Sequence, residues 1–163
     1  MSERHALYPG TFDPVTFGHI DILERALRMF DRITVTVAEG SKNTLFGLDE
    51  RVAMFKTAVA HWNQCDVVPF TGLLVDELHQ SGVTTVVRGI RSVSDYEHEW
   101  SMVGVNQILF PKSEFVFLLA RPTMAAVSSS LVRDVARHGG DVSQFVLPEV
   151  ATALAKRFGK GAP

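Results

Sequence analysis

Apolar and polar positions along this chain switch repeatedly between two periods. Short runs rich in β-branched and aromatic residues, Ala6-Leu7-Tyr8, Ile33 to Ala38, Val67-Val68, Thr84 to Val87 and Phe115 to Leu119, read as five strands. Between them apolar residues recur at helical spacing: Ile20, Leu23, Leu27 and Phe30, then Leu48, Val52, Phe55, Val59 and Trp62, then Leu73, Leu74, Val75 and Leu78. A longer helix is predicted from Ser94 to Leu109, stopped before Pro111, and two more carry Leu131, Val132 and Val135, then Val150, Ala151, Leu154, Ala155 and Phe158. Gly139-Gly140 separates these last two, and residues 159–163 read as a frayed tail.

Strand and helix alternate through all five strands, which implies a parallel sheet with helices on both faces. The expected fold is therefore a single doubly wound, Rossmann-like α/β domain spanning residues 1–163, with no linker and no internal repeat. In that architecture ligands lie outside the carboxyl ends of the strands, where the strand order reverses. Pro9 and Gly10 are read as unable to prolong a central strand, so the first strand should stop before them. Trp100, Met102, Val103 and Val105 on the long helix fit either an interface or the core, with the core as the default for such a stripe.

Composition narrows the partners. With 163 residues the chain buries enough surface to fold without a staple, and a net charge of −2 offers no bulk attraction to nucleic acid or an anionic membrane. The segment before the first strand is charged rather than apolar, no run approaches a membrane span, and the lone Cys65 reads as a small strand residue. A small-molecule partner and a cytoplasmic location are expected.

The polar clusters fall at strand ends. Asp13-Pro14 favours a turn, and Gly18-His19 opens the first helix, where unpaired N–H groups and a partial positive charge suit a phosphate. Ser41-Lys42 follows strand two, Arg88-Gly89-Ile90-Arg91 follows strand four, and Ser128-Ser129-Ser130 follows strand five. Taken singly each has a plain alternative: Lys42 as a solvated loop charge, Arg88 and Arg91 as surface ion pairs with Asp95, Glu97 or Glu99, the serines as a helix cap. Together they are the donors that a triphosphate under attack requires on its attacked and leaving groups.

The stretch Gly10-Thr11-Phe12-Asp13-Pro14, followed by Thr16-Phe17-Gly18-His19, resembles the (H/T)xGH signature of the nucleotidyltransferase superfamily, and its threonine form resembles the phosphopantetheine adenylyltransferase branch. That resemblance implies transfer of an adenylyl group from ATP to 4′-phosphopantetheine with Mg²⁺, without a covalent enzyme intermediate, in a homohexamer. It implies that Thr11, His19 and Lys42 are catalytic and that Thr11, Lys42, Leu74, Arg88 and Asn106 bind phosphopantetheine; no residue is singled out as a metal ligand. For ATP it implies Thr11, Phe12 and His19; Gly89, Ile90, Arg91 and Glu99; and Met124, Ala125, Ala126, Val127, Ser128, Ser129 and Ser130. Phe17 within the motif, His98 in place of tyrosine and Gln107 in place of arginine depart from the commoner pattern. The alternatives are a related nucleotidyltransferase with another acceptor, such as nicotinamide mononucleotide, and a non-catalytic nucleotide-binding module.

Overall fold

The computed structural model describes residues 3–40 and 43–159. Strands β1 (His5–Gly10), β2 (Arg32–Ala38), β3 (Cys65–Phe70), β4 (Thr85–Ile90) and β5 (Glu114–Leu119) form one parallel sheet in the order β3-β2-β1-β4-β5. Helices α1 (Phe17–Ala26), α2 (Leu48–Val59), α3 (Leu74–Ser81) and α4 (Val93–Leu109) make the crossovers, and α5 (Ser129–Arg137) and α6 (Pro148–Arg157) follow β5. The order reverses between β1 and β4, as the alternation of elements requires.

Side chains alternate across the sheet as the pleat demands. Ala6, Tyr8 and Val87 join the large core with Leu23 of α1 and Phe55 of α2, while Leu7 and Val86 join the smaller one with Leu78 of α3. Burying a side chain such as Leu23 or Phe55 contributes about 1.5–3 kcal/mol.

Two expectations are corrected. β1 runs through Pro9 and Gly10, which stay in register with Thr36 and Val37 of β2. Pro9 is tolerated because β1 pairs with β4 only at Ala6 and Leu7, so the ladder on that side has already ended and no donor is missed there. The two central strands therefore part at their carboxyl ends. Likewise β4 continues to Ile90, which puts Arg88 and Gly89 inside the strand, opposite Phe117 and Leu118 of β5, rather than after it.

The long helix departs from its default reading. Of the four apolar residues assigned to the core, only Val103 is buried; Trp100 is 62% exposed, and Met102 and Val105 are also exposed. Val93, Ile108 at 81% exposure and Leu109 extend this surface. Helical spacing identifies residues that share a face but says nothing of what covers it. The second helix ends at Val59 instead of continuing through Trp62, whose ring still packs on the core.

Candidate active site

The turn after β1 is built around Phe12. Its backbone is left-handed (φ 49°), a conformation that costs a non-glycine residue about 1–3 kcal/mol and persists only where surroundings enforce it. Here the ring is wedged edge-on against Tyr8, His19 and Phe55, with centroids 5.3, 5.0 and 4.6 Å away. Gly10 makes room for it, since a Cβ there would lie 2.6 Å from Phe12 Cζ.

His19 occupies the third position of α1. The Thr16 backbone N–H donates to its Nδ1 at 3.0 Å, and because an amide can only donate, Nδ1 must accept. The imidazole proton therefore sits on Nε2. Desolvation, followed by the positive charges of Arg91 and Arg88, pulls the pKa of His19 down to about 3 and keeps the ring neutral. Phe17 N–H donates to Phe145 O and His19 N–H to Thr16 O, which leaves the Gly18 N–H of the first turn without a partner among the described residues.

The segment leading into α2 is held by two buried charges, Asp13, which the sequence marks only as a turn residue, and Arg51, to which it assigns no role. Asp13 accepts from Leu45 N–H (2.7 Å) and Phe46 N–H (3.0 Å), and Arg133 donates to both its carboxylate and its backbone carbonyl. Arg51, 1% exposed, donates to four backbone carbonyls, those of Thr11, Ala38, Glu39 and Phe46, at 2.6–3.1 Å. The available signal was an arginine at the fourth place of an otherwise apolar helix face, one residue before Val52. Lys42 lies outside the described residues.

At the end of β4, Arg88 enters the gap between the parting strands. Its Nη1 donates to Pro9 O at 2.5 Å, replacing the missing ladder, while Nε (2.7 Å) and Nη2 donate to the two oxygens of Glu99. This fork leaves one N–H on each terminal nitrogen. The pair is half-buried rather than a solvated surface pair (28% and 13% exposed). Arg91, further out, pairs with Asp95 through Nε at 3.1 Å.

The serine segment serves as a helix start. Ser128 caps α5 by accepting from Leu131 N–H at 3.2 Å, Ser129 Oγ donates to Pro14 O at 2.8 Å, and Ser130 Oγ accepts from Arg133. The opening N–H groups of α5 thus lie beside the turn that begins α1.

These parts surround one cleft of about 500 Å³. Thr11, Phe12, Gly18 and His19 line it from the first turn, Arg88, Gly89, Arg91 and Glu99 from the reversal side, and Met124 with Val127 to Ser130 from the third. Ile90, Ala125 and Ala126 do not line it. Neither do Leu74, which packs on the smaller core, and Asn106, a buried residue whose amide donates to Met102 O. Tyr8, Asn43, Thr44, His98 and Arg133 are among the other residues that line it. The set combines two helix starts, a neutral imidazole donor and guanidinium groups, all of them donors of the kind that suit phosphate oxygens.

Among the described residues no three or more His, Cys, Asp or Glu side chains lie together as a metal cage. The inner carboxylates, Asp13 and Glu99, are already taken up by backbone N–H groups and arginines. Such a lining fits a magnesium ion carried on substrate phosphates, an ion that commonly takes few protein ligands. Among the described residues no helix is long and apolar enough to cross a membrane.

The cytidylyltransferase-like family model matches residues 7–135. A phosphopantetheine adenylyltransferase of Proteus mirabilis is 47% identical over 97% of this chain and 99% of its own length, and that of Photorhabdus laumondii is 43% identical over 95% and 98%. In fold, the chain is similar to a bifunctional NMN adenylyltransferase/ADP ribose pyrophosphatase from Francisella tularensis (TM-score 0.71, 15% identity, 99% of this chain and 51% of that one). Near-complete coverage at this identity, on a chain whose signature turn and strand-end donors meet at one cleft, establishes that the protein belongs to the phosphopantetheine adenylyltransferase family.

Proposed function

We propose that the protein transfers the adenylyl group of ATP to 4′-phosphopantetheine. The acceptor phosphate attacks the α-phosphorus in line: a new O–P bond forms, the bond to the pyrophosphate oxygen breaks, and dephospho-coenzyme A and pyrophosphate leave. The observation that carries this reading is the convergence of His19, with its proton on Nε2, and the starts of α1 and α5 on one cleft. The acceptor follows from the relatives named above.

In this reading His19 Nε2–H, Thr11 and Lys42 stabilise charge growing on the α-phosphate oxygens, and removing one such donor costs about 10² to 10³ in kcat. Arg88, held by Glu99 and Pro9 O, presents its remaining N–H groups to the acceptor phosphate. Ser128, Ser129 and Ser130 with the α5 start receive the β- and γ-phosphates, and Phe12, Gly89, Arg91, Glu99, Met124 and Val127, which line the cleft, hold the rest of the nucleotide. Mg²⁺ bound to the phosphates supplies further charge neutralisation.

The apolar face of α4 supports self-association, with a homohexamer in the cytoplasm as the working assembly. Pyrophosphate release from ATP and Mg²⁺, with 4′-phosphopantetheine against nicotinamide mononucleotide as acceptor, tests the reaction. Release that depends on 4′-phosphopantetheine is expected; release with nicotinamide mononucleotide alone would reassign the acceptor.

A further inference from the structure

We infer that Arg51 is a positioning residue for adenylyl transfer, setting the place of Thr11 by tying the turn after β1 to both flanks of the segment between β2 and α2. The inference rests on the reaction proposed above. Every hydrogen bond of this guanidinium among the described residues goes to a backbone carbonyl: Nη1 to Thr11 O (2.6 Å) and Ala38 O (2.7 Å), Nη2 to Glu39 O (2.6 Å) and Nε to Phe46 O (3.1 Å). Three stretches of chain, at Thr11, at Ala38 and Glu39, and at Phe46, thus share one rigid fork. Lysine cannot reproduce it, because its ammonium is a point with no planar spread.

A role in filling space does not account for this choice. Burying a charge is costly, and a well-packed apolar side chain of similar volume often stabilises a core as well or better. What the guanidinium adds is fixed geometry among the four carbonyls it joins. Phe46 shows how closely the segment is gripped, since Arg51 takes its C=O and Asp13 its N–H.

Independently, the same segment lies close against the Thr11 side chain. Gly40 has a left-handed backbone (φ 79°), and a Cβ built there would lie 3.1 Å from Thr11 Cγ2 and 3.0 Å from Thr44 Cγ2. Thr11 is thus held at its carbonyl by Arg51, and its methyl has little room beside Gly40. A shift of the segment moves Thr11, and displacements of about 1 Å at a reacting centre cost about 10²-fold in rate.

The test is R51K in the full chain, with T11A and the T11A/R51K double variant, each assayed for kcat and for the ATP KM by pyrophosphate release and for cooperative unfolding. R51K is expected to unfold cooperatively, to lose about 10- to 100-fold in kcat with an ATP KM within about threefold of wild type, and to add little in the T11A background. A folded R51K with wild-type kcat, or losses that multiply fully in the double variant, overturns the inference. Should R51K not fold, R51Q decides: its neutral amide has two N–H donors for the four carbonyls, so an unchanged kcat there overturns the inference, and a lowered kcat with the ATP KM unchanged supports it. If the wild-type protein itself releases no pyrophosphate with 4′-phosphopantetheine, the reaction is refuted, an outcome distinct from any failure of the variants.

Discussion

The Thr16 backbone N–H donates to Nδ1 of His19 at 3.0 Å, and this one bond decides which imidazole nitrogen carries the proton. Because the acceptor nitrogen is occupied, His19 is a hydrogen-bond donor through Nε2 and no general base. His19→Ala should therefore lower kcat by about 10² to 10³, or about 3 to 4 kcal/mol in the barrier, while ATP affinity changes much less. Steady-state kinetics beside ATP titration would read both; near-wild-type turnover would remove His19 from the chemistry.

The same residue gives a pH signature in stability. Its folded pKa of about 3 lies below the ordinary value of 6.5, so the unfolded chain binds the proton first. The stabilising contribution is complete above about 6.5 and is lost as pH falls towards about 3. Between these limits the Tm of the wild type should fall more steeply with acidification than that of His19→Gln. Parallel curves for the two proteins would contradict the assignment.

Arg88 is held by Glu99 on one side and Pro9 O on the other, so its remaining N–H groups are aimed before an acceptor arrives. Arg88→Ala should raise the KM for 4′-phosphopantetheine by at least about tenfold, equivalent to about 1.4 kcal/mol. Glu99→Gln keeps the arginine but loosens its fork, and a smaller rise of the same kind is expected. An acceptor KM indifferent to both changes would relocate the acceptor phosphate.

Gly10 and Phe12 form a close contact that leaves no room for a methyl group, with 2.6 Å between a built Cβ and the ring. Gly10→Ala should destabilise the protein by about 1–3 kcal/mol through overpacking. At about 2–4 °C per kcal/mol for a chain of this size, calorimetry would resolve the shift. Because the displaced ring abuts His19, turnover should fall as well.

The exposed face of α4 predicts assembly. Ile108→Asp and Trp100→Glu replace residues that are mostly exposed in the isolated chain, so folding should survive. Sedimentation should show the mass moving to smaller species. If the wild type already sediments as a monomer, the apolar face has another partner.

Much of this fold is written in near neighbours along the chain. Periods of two and 3.6 mark strands and helices, turn residues mark where they stop, and their alternation implies a parallel doubly wound sheet with its site at the carboxyl edge. The Gly10 to His19 stretch is legible for the same reason: a strand end, a turn and a helix start all arise within a few residues of each other.

Tertiary structure alone decided the rest, because it concerns partners far apart in sequence. Pro9 can sit in a central strand only because β1 and β4 part at Leu7, and Arg88 fills the opening this leaves. The exposure of Trp100 and Ile108 depends on what covers α4, which helical spacing does not encode. Arg51 stands out in the sequence only as a charge on an otherwise apolar helix face, and its partners appear when β1, β2 and the start of α2 are brought around it, for only then do Thr11, Ala38, Glu39 and Phe46 turn their carbonyls to one guanidinium. Local periodicity determined the elements and the edge where chemistry belongs; which backbone carbonyls Arg51 and Arg88 satisfy depends on chain segments that only the folded sheet brings together.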